Sequence, residues 1–320
     1  MKVYLNRKPV VGPWGGGNKT LSLLSKSLLE EEGIDLVYDL SHRDIDIIFC
    51  IDPKPDNTGI WHQNFLDYKS NINNNVKIIQ RVGDLGTHRG QEITKLVHQT
   101  INMSDFLIFP SDWARKAIGF KKSNYVIIQN SPMKIFYTNR TKQKKINREN
   151  IKVVTHHWSD NPKKGFQTYQ EFGSLIKDKK NISFTYIGRY NQNYSSEGIE
   201  IIEPKNADEL SQILPNFDIY LTASELEAGA NHVLEGLAAG LPVLYKTNGG
   251  SIEEYCFNYG FEYYDTDSLY EALKNCISNY KFIVDKAYDY NDILSNQIKD
   301  YLDVIKHVYS GEKYDTKMEV

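Results

Sequence analysis

Short apolar runs separated by longer amphipathic stretches set the rhythm of this chain. In the first half, Val3 to Leu5, Leu36 to Leu40, Ile45 to Ile51, Val76 to Val82, Phe106 to Phe109 and Val126 to Ile128 read as strands. Several are continuous rather than alternating, as happens when helices cover both faces of a parallel sheet. Leu21, Leu24 and Leu28 recur on one helical face, with Asn18 where an N-cap belongs and Gly33 where a helix stops, which predicts a helix over 19–32. The pattern then restarts. Val153 to Thr155, Phe184 to Ile187, Ile199 to Ile202, Ile219 to Thr222 and Val243 to Tyr245 read as strands. Helices fit Phe166 to Ile176, Ala207 to Leu214, Asn231 to Ala239 and Leu269 to Tyr280. A last amphipathic helix over 293–309 would bury Ile298, Leu302, Ile305 and Val308 or Tyr309.

Strands alternating with helices imply β-α-β units and open parallel sheets. The expected fold class is therefore α/β, with two Rossmann-like parallel-sheet domains facing across a cleft. We expect a first domain over 1–140, a second over 151–290, and a C-terminal helix and tail over 291–320 packing back towards the first. The stretch 136–150 is polar, basic and without periodicity, and reads as the connector, its lysines solvated.

Composition adds exclusions. The 320 residues suit two domains, and 40% hydrophobic with 25% charged residues is ordinary for a globular protein. A net charge of −3 argues against a nucleic-acid-binding surface over the whole molecule. The start, Met-Lys-Val-Tyr-Leu-Asn-Arg-Lys, lacks the apolar core of a secretory signal, and runs such as Ile47 to Ile51 fall far short of a membrane span. Cys50, Cys256 and Cys276 have no metal-ligand spacing and leave an odd count, which fits a reducing compartment. The expectation is a cytoplasmic protein with no transmembrane segment and no nucleic-acid partner. Peripheral membrane contact stays open through the basic connector.

Four segments carry candidate chemistry. The strongest runs from Tyr220 to Gly250, Y-L-T-A-S-E-L-E-A-G-A-N-H-V-L-E-G-L-A-A-G-L-P-V-L-Y-K-T-N-G-G. A strand ends at Ser224 and a helix begins near Ala230 or Asn231, so Glu227 falls in a loop at the carboxyl end of a parallel strand, where open α/β sheets place ligands. Glu235 follows about one turn into the helix. The amides of Asn231 to Val233 are first-turn donors suited to an anionic or polyhydroxyl ligand. Two acidic residues at a helix start also suit the macrodipole alone. The second segment, Thr155 to Phe166, T-H-H-W-S-D-N-P-K-K-G-F, follows the first strand of the second domain and opens a helix, with Gly165 at the turn. The third, Gly12 to Asn18, G-P-W-G-G-G-N, lets backbone approach a phosphate or sugar without Cβ interference, although the G-x-G-x-x-G fingerprint is absent. The fourth, Gln80 to Gly90, Q-R-V-G-D-L-G-T-H-R-G, sets arginines, an aspartate and a histidine in a glycine-rich loop.

The Tyr220 to Gly250 segment resembles the signature of the retaining glycosyltransferases of family 4, which have the GT-B fold: Glu, seven residues, Glu, then a Gly-Pro-Val-like stop. The resemblance spans 1–310 and is most specific in the second domain. It implies that Glu227 faces the donor sugar, that Glu235 hydrogen-bonds the ribose hydroxyls from a site at the cleft, and that Ala228, Gly229, Ala230 and Asn231 line the donor pocket. The usual Pro-Phe-Gly after the first glutamate is replaced here by Ala228, Gly229 and Ala230, so the donor's identity does not carry over. It further implies that Lys164 neutralises the donor diphosphate and that Gly15, Gly16 and Gly17 face the donor phosphates. The arginine that usually accompanies the lysine is missing, leaving His157, Lys163 or Arg189 to replace it. Arg81, Asp84, His88 and Arg89 become acceptor-side residues.

The resemblance thus implies hexose transfer from a nucleoside diphosphate sugar to a glycan, lipid-linked or protein acceptor, with no metal and no cofactor beyond the donor. Asp44-Ile-Asp46 and Asp265-Thr-Asp267 look superficially like metal-binding pairs, but the first leads into a strand and the second caps a helix. Two other readings stand beside this one: a non-catalytic sugar-nucleotide or glycan-binding module, and a sugar-nucleotide epimerase or phosphorylase on the same fold.

Overall fold

A computed structural model describes residues 1–10, 16–88, 90–140, 144–290 and 294–311. The chain divides into two compact units, one formed by Met1–Asn130 with Ser295–Val320, the other by Ser131–Leu294.

In the first unit β1 (Lys2–Leu5), α1 (Gly16–Glu30), β2 (Asp35–Val37), β3 (Ile47–Cys50), α2 (His62–Asn71), β4 (Lys77–Arg81), α3 (Gln91–Met103), β5 (Phe106–Phe109), α4 (Asp112–Ala117) and β6 (Tyr125–Ile127) follow in turn. The strands form one parallel sheet in the order β2-β1-β3-β4-β5-β6. The second unit contains α5 (Lys134–Thr138), β7 (Ile151–His157), α6 (Phe166–Ile176), β8 (Ile182–Gly188), β9 (Glu200–Ile202), α7 (Ala207–Ile213), β10 (Ile219–Thr222), α8 (Asn231–Ala238), β11 (Val243–Lys246), α9 (Ser251–Cys256), β12 (Gly260–Tyr263), α10 (Thr266–Ser278) and α11 (Tyr280–Tyr288). Its sheet is also parallel and six-stranded, ordered β12-β11-β10-β7-β8-β9. Strand direction of growth reverses between β7 and β10, the crevice where sheets of this order bind ligands. Both sheets are covered on two faces by apolar clusters, which explains the continuous apolar strands.

The helix α12 (Leu294–Ser310) completes the first unit. Tyr301, Val304, Ile305 and Val308 are buried against Val3, Leu5, Leu21, Leu24 and Leu28. Of the expected face, Ile305 and Val308 are buried and Ile298 and Leu302 half-buried; Tyr309 is exposed, and the aromatic ring that enters the core is Tyr301.

Two further expectations change. Helix α1 starts at Gly16, so Asn18 lies inside it, where its side chain accepts from Val10 N at 2.9 Å and donates to Val10 O at 2.8 Å instead of capping. Of the described residues in 136–150, Thr138, Asn139, Lys145 and 147–150 are exposed as a solvated connector would be, but the others are not. Phe136 and Tyr137 are buried in the second unit's core, the Arg140 guanidinium lies 4.3 Å from the Tyr288 ring centroid, and Lys144 donates to Pro215 O at 2.9 Å. Aromatic rings thus take the Arg140 guanidinium, and Asp218 lies 3.7 Å from Lys144 Nζ. The aspartate pairs act locally. Asp46 accepts from Lys2 N, Asp44 pairs with Lys2 Nζ, and Asp265 caps α10 by accepting from Ser268 N.

Candidate functional site

The carboxyl ends of β7 and β10 bring together the residues of the two strongest segments. The segment after β7 turns through Gly165, whose φ of +89° is accessible to glycine and strained for other residues. A Cβ there would lie 2.3 Å from the Cβ and carbonyl oxygen of Ala223. Glycine therefore lets the start of α6 lie against the end of β10, and it fixes Lys164 beside the loop that follows that strand. The loop is stitched on both sides. Glu225 N donates to Lys163 O at 2.9 Å, Leu226 N to Asn248 O at 2.8 Å and Glu227 N to Gly249 O at 3.1 Å. Leu226 is held at φ +54°, a left-handed conformation that costs a leucine on the order of 1 kcal/mol. Such strain persists only where neighbours over-determine the backbone, and here the strained residue immediately precedes Glu227.

Glu227 accepts from Lys164 Nζ at 2.5 Å, and the two side chains are only 13% and 14% exposed. Helix α8 starts at Asn231 without a side-chain cap, its approach fixed by Ala230 N donating to Ser251 Oγ at 3.1 Å. Ala228 and Ala230 are buried, while Gly229 and Asn231 are half-buried.

Behind these groups lies a polar core that the sequence did not reveal. Glu235 is 4% exposed and meets His156 Nε2 at 2.7 Å. The opposite nitrogen of His156 lies 3.0 Å from Tyr220 Oη, which also receives His156 N–H at 3.2 Å. The Tyr220 hydroxyl thus accepts from the backbone and donates to Nδ1, leaving Nε2–H to donate to the carboxylate. Glu235 is thus a buried, bonded carboxylate. His156, one strand away at the carboxyl end of β7, is the partner that requires it.

His157 is also buried. Its Nε2 lies 2.7 Å from Tyr169 Oη, which also accepts from Ala223 N at 3.1 Å. Burial pushes the Tyr169 phenol up to about 12, which keeps its proton in place. His232 packs 4.6 Å from the His157 ring and bonds Thr222 Oγ1 at 2.9 Å. Burial lowers its pKa to about 3, with Glu227 opposing the shift and Lys164 adding to it. A neutral imidazole therefore sits among Lys164, Glu227, His156 and Glu235. Lys163 is half-buried and offers its backbone carbonyl to the loop, while Arg189 is exposed and stacks 4.3 Å over Trp158.

In the first unit Gly16 and Gly17 form the first residues of α1 rather than a loop, and a Cβ on Gly17 would meet nothing within 4 Å. Gly15 lies outside the described residues, as does Arg89. Asp84 and His88 are half-buried in the loop after β4, with Asp84 accepting from Gly86 N at 2.8 Å. Arg81 ends β4 and is buried.

Among the described residues, no group of histidines, cysteines and acids is arranged to hold a metal ion, and no helix is long and apolar enough to cross a membrane.

No family model matches the chain, and no curated protein matches it. Solved structures do. HepE of Anabaena in complex with UDP superposes with a TM-score of 0.71 at 13% identity, covering 95% of this chain and 99% of that one. A glycosyltransferase from Rickettsia africae gives 0.66 at 15% identity, over 97% and 99%. Sucrose-phosphate synthase from Thermosynechococcus elongatus gives 0.65 at 10% identity, over 98% and 100%. The two parallel six-stranded sheets are those of the GT-B fold, and the chain's structural neighbours are glycosyltransferases.

Proposed function

We propose that the chain is a retaining, metal-independent glycosyltransferase that moves a hexose from a nucleoside diphosphate sugar to a glycan, lipid-linked or protein acceptor. In this reading the second unit takes the donor and the first takes the acceptor. The observation that carries it is the Lys164–Glu227 pair beside the start of α8, at the switch point of the second sheet.

In the transfer, the bond from the anomeric carbon to the diphosphate oxygen breaks and its electron pair leaves with the phosphate. Positive charge grows on the sugar ring and negative charge on the departing group. Lys164 and the first amides of α8 stabilise that negative charge, and being fixed beforehand they need no reorganisation. Glu227 offers the ring its carboxylate on the other side of the same ion pair. The acceptor hydroxyl attacks from the face the diphosphate vacates and gives its proton to the departing oxygen, so no separate base is needed. Glu235, oriented by His156, takes the ribose hydroxyls. HepE has been seen with UDP, and also with UDP and glucose, which makes uridine donors the first to try.

The test is release of nucleoside diphosphate from uridine, guanosine, adenosine and thymidine diphosphate sugars, with and without EDTA. Turnover that survives chelation and yields product of the donor's anomeric configuration is expected. Saturable binding without release would make the protein a sugar-nucleotide-binding module, and manganese-dependent turnover would remove the metal-free diphosphate site.

A further inference from the structure

Arg81 carries a buried charge that no carboxylate among the described residues neutralises. The residue is 5% exposed at the end of β4. Its Nε donates to Tyr301 Oη at 3.0 Å and its Nη2 to Asn130 Oδ1 at 2.7 Å, and both acceptors are neutral. Among the described residues no carboxylate comes within ion-pair distance of it. Asp84, three residues on, turns an oxygen to its own loop at Gly86 N. A guanidinium keeps its charge inside proteins, and a buried charge without a counter-ion is strongly unfavourable. A glutamine could satisfy both neutral acceptors without that penalty, so hydrogen bonding alone does not account for an arginine here.

The way the side chain is held indicates what it awaits. Tyr301 and Asn130 occupy the edge formed by Nε and Nη2. Among the described residues Nη1 has no hydrogen-bond partner, and it is not one of the enclosed, unsatisfied side-chain atoms. The terminal edge, Nη1 with the second N–H of Nη2, is therefore left open, and it is the edge that grips a carboxylate or phosphate through two parallel bonds. The guanidinium also lies close over Gly83. A Cβ at Gly83 would fall 2.0 Å from Nη1 and 3.0 Å from Cζ, so any residue but glycine would displace it.

We propose that Arg81, set by Tyr301, Asn130 and Gly83, is the floor of an anion subsite in the first unit that takes a carboxylate or phosphate group. That this group belongs to the acceptor rests on the transferase reading; the anion site itself does not.

The test is thermal unfolding of the full chain titrated with inorganic phosphate and, separately, acetate, at constant ionic strength against chloride. Wild type should show a saturating rise in midpoint with phosphate, since binding to the native state stabilises it by mass action. A rise with acetate as well would extend the site to carboxylates, and a rise with phosphate alone would assign it to phosphate. Arg81→Met should lose the rise, and Gly83→Ala should raise the half-saturating concentration at least tenfold. Because the proposed donor site would also take phosphate at Lys164, Arg81→Met and Gly83→Ala are read in the Lys164→Ala background, which should itself keep a saturating rise. No saturable rise in wild type, an unchanged rise in Arg81→Met, or loss of the rise in Lys164→Ala would each overturn the proposal. If Arg81→Met does not fold, wild type and Gly83→Ala decide. A chain that binds no nucleotide sugar would leave this titration intact, so the two readings fail separately.

Discussion

The two sheets have six parallel strands each, yet their carboxyl edges are built on opposite electrostatic plans. In the second unit every buried charge at the edge has a mate: Lys164 with Glu227, and Glu235 with His156. That cluster sits at the switch point between β7 and β10. In the first unit the growth of the sheet reverses between β1 and β3, while the buried charge lies further along, at β4, and has only neutral partners. A mated edge is stable when empty and must exchange partners to bind. An unmated edge is held at a loss until a ligand arrives. The difference teaches that a buried cation must be read together with its acceptors before it is assigned to stability or to binding.

The comparison breaks most readily at Glu235. Glu235→Ala should remove on the order of 3–5 kcal/mol from the second unit, because it leaves a buried imidazole donor facing a void. It should also abolish measurable nucleotide binding. Urea unfolding followed by calorimetric titration checks both, and a variant as stable as wild type would show that the mated network is not structural.

Lys164→Ala tests the pair at the edge itself. Its rate should drop about a hundredfold, ~3 kcal/mol, with a smaller effect on donor binding, since the diphosphate is more negative in the transition state. Lys163→Ala is the control, for Lys163 serves the loop through its backbone carbonyl. Equal, small effects in steady-state kinetics would return both lysines to ordinary surface roles.

The smallest effect is one the two units share. Each buries a histidine in its neutral form. Burial lowers His62 in the first to about 4 and His232 in the second to about 3, from an ordinary value of 6.5. A depressed histidine pKa means the unfolded chain binds more protons, so stability is complete above pH 6.5 and falls as pH drops towards the folded value. At 1.36 kcal/mol per unit, His62 alone accounts for a loss on the order of 2 kcal/mol between neutrality and pH 4.5. His62→Gln should flatten that loss, read as unfolding free energy at the two pH values. An unchanged loss would place acid sensitivity elsewhere.

What the sequence made legible follows from which forces are local. The strands were readable because burial on both faces leaves a continuous apolar run, as in Phe106–Phe109 and Ile219–Thr222. The strand β12 was not, because Gly260–Tyr263 is a short edge piece with mixed burial. Asn18 had the chemistry of a cap, but its side chain bonds the Val10 backbone instead, a contact no helical pattern announces. The motif around Glu227 and Lys164 was visible as spacing, and the fold brings the two to 2.5 Å. The partnership of His156 with Glu235 was invisible, since 79 residues separate them and no period links them. Arg81 was legible as a charged residue in a loop, but its want of a counter-ion is a property of surroundings assembled from three distant segments.

The C-terminal helix has a further consequence for how the molecule is made. The second unit is one unbroken run of chain, whereas the first closes only when Tyr301, Val304, Ile305 and Val308 meet Val3, Leu5 and Leu21. Contacts across so long a separation form late, because the entropy of closing the intervening loop must be met first. During synthesis the second unit can therefore fold on emergence while the first sheet waits with an apolar face uncovered. An intermediate with that face uncovered is the species expected to aggregate, and shielding β1 and α1 until α12 is made should raise soluble yield.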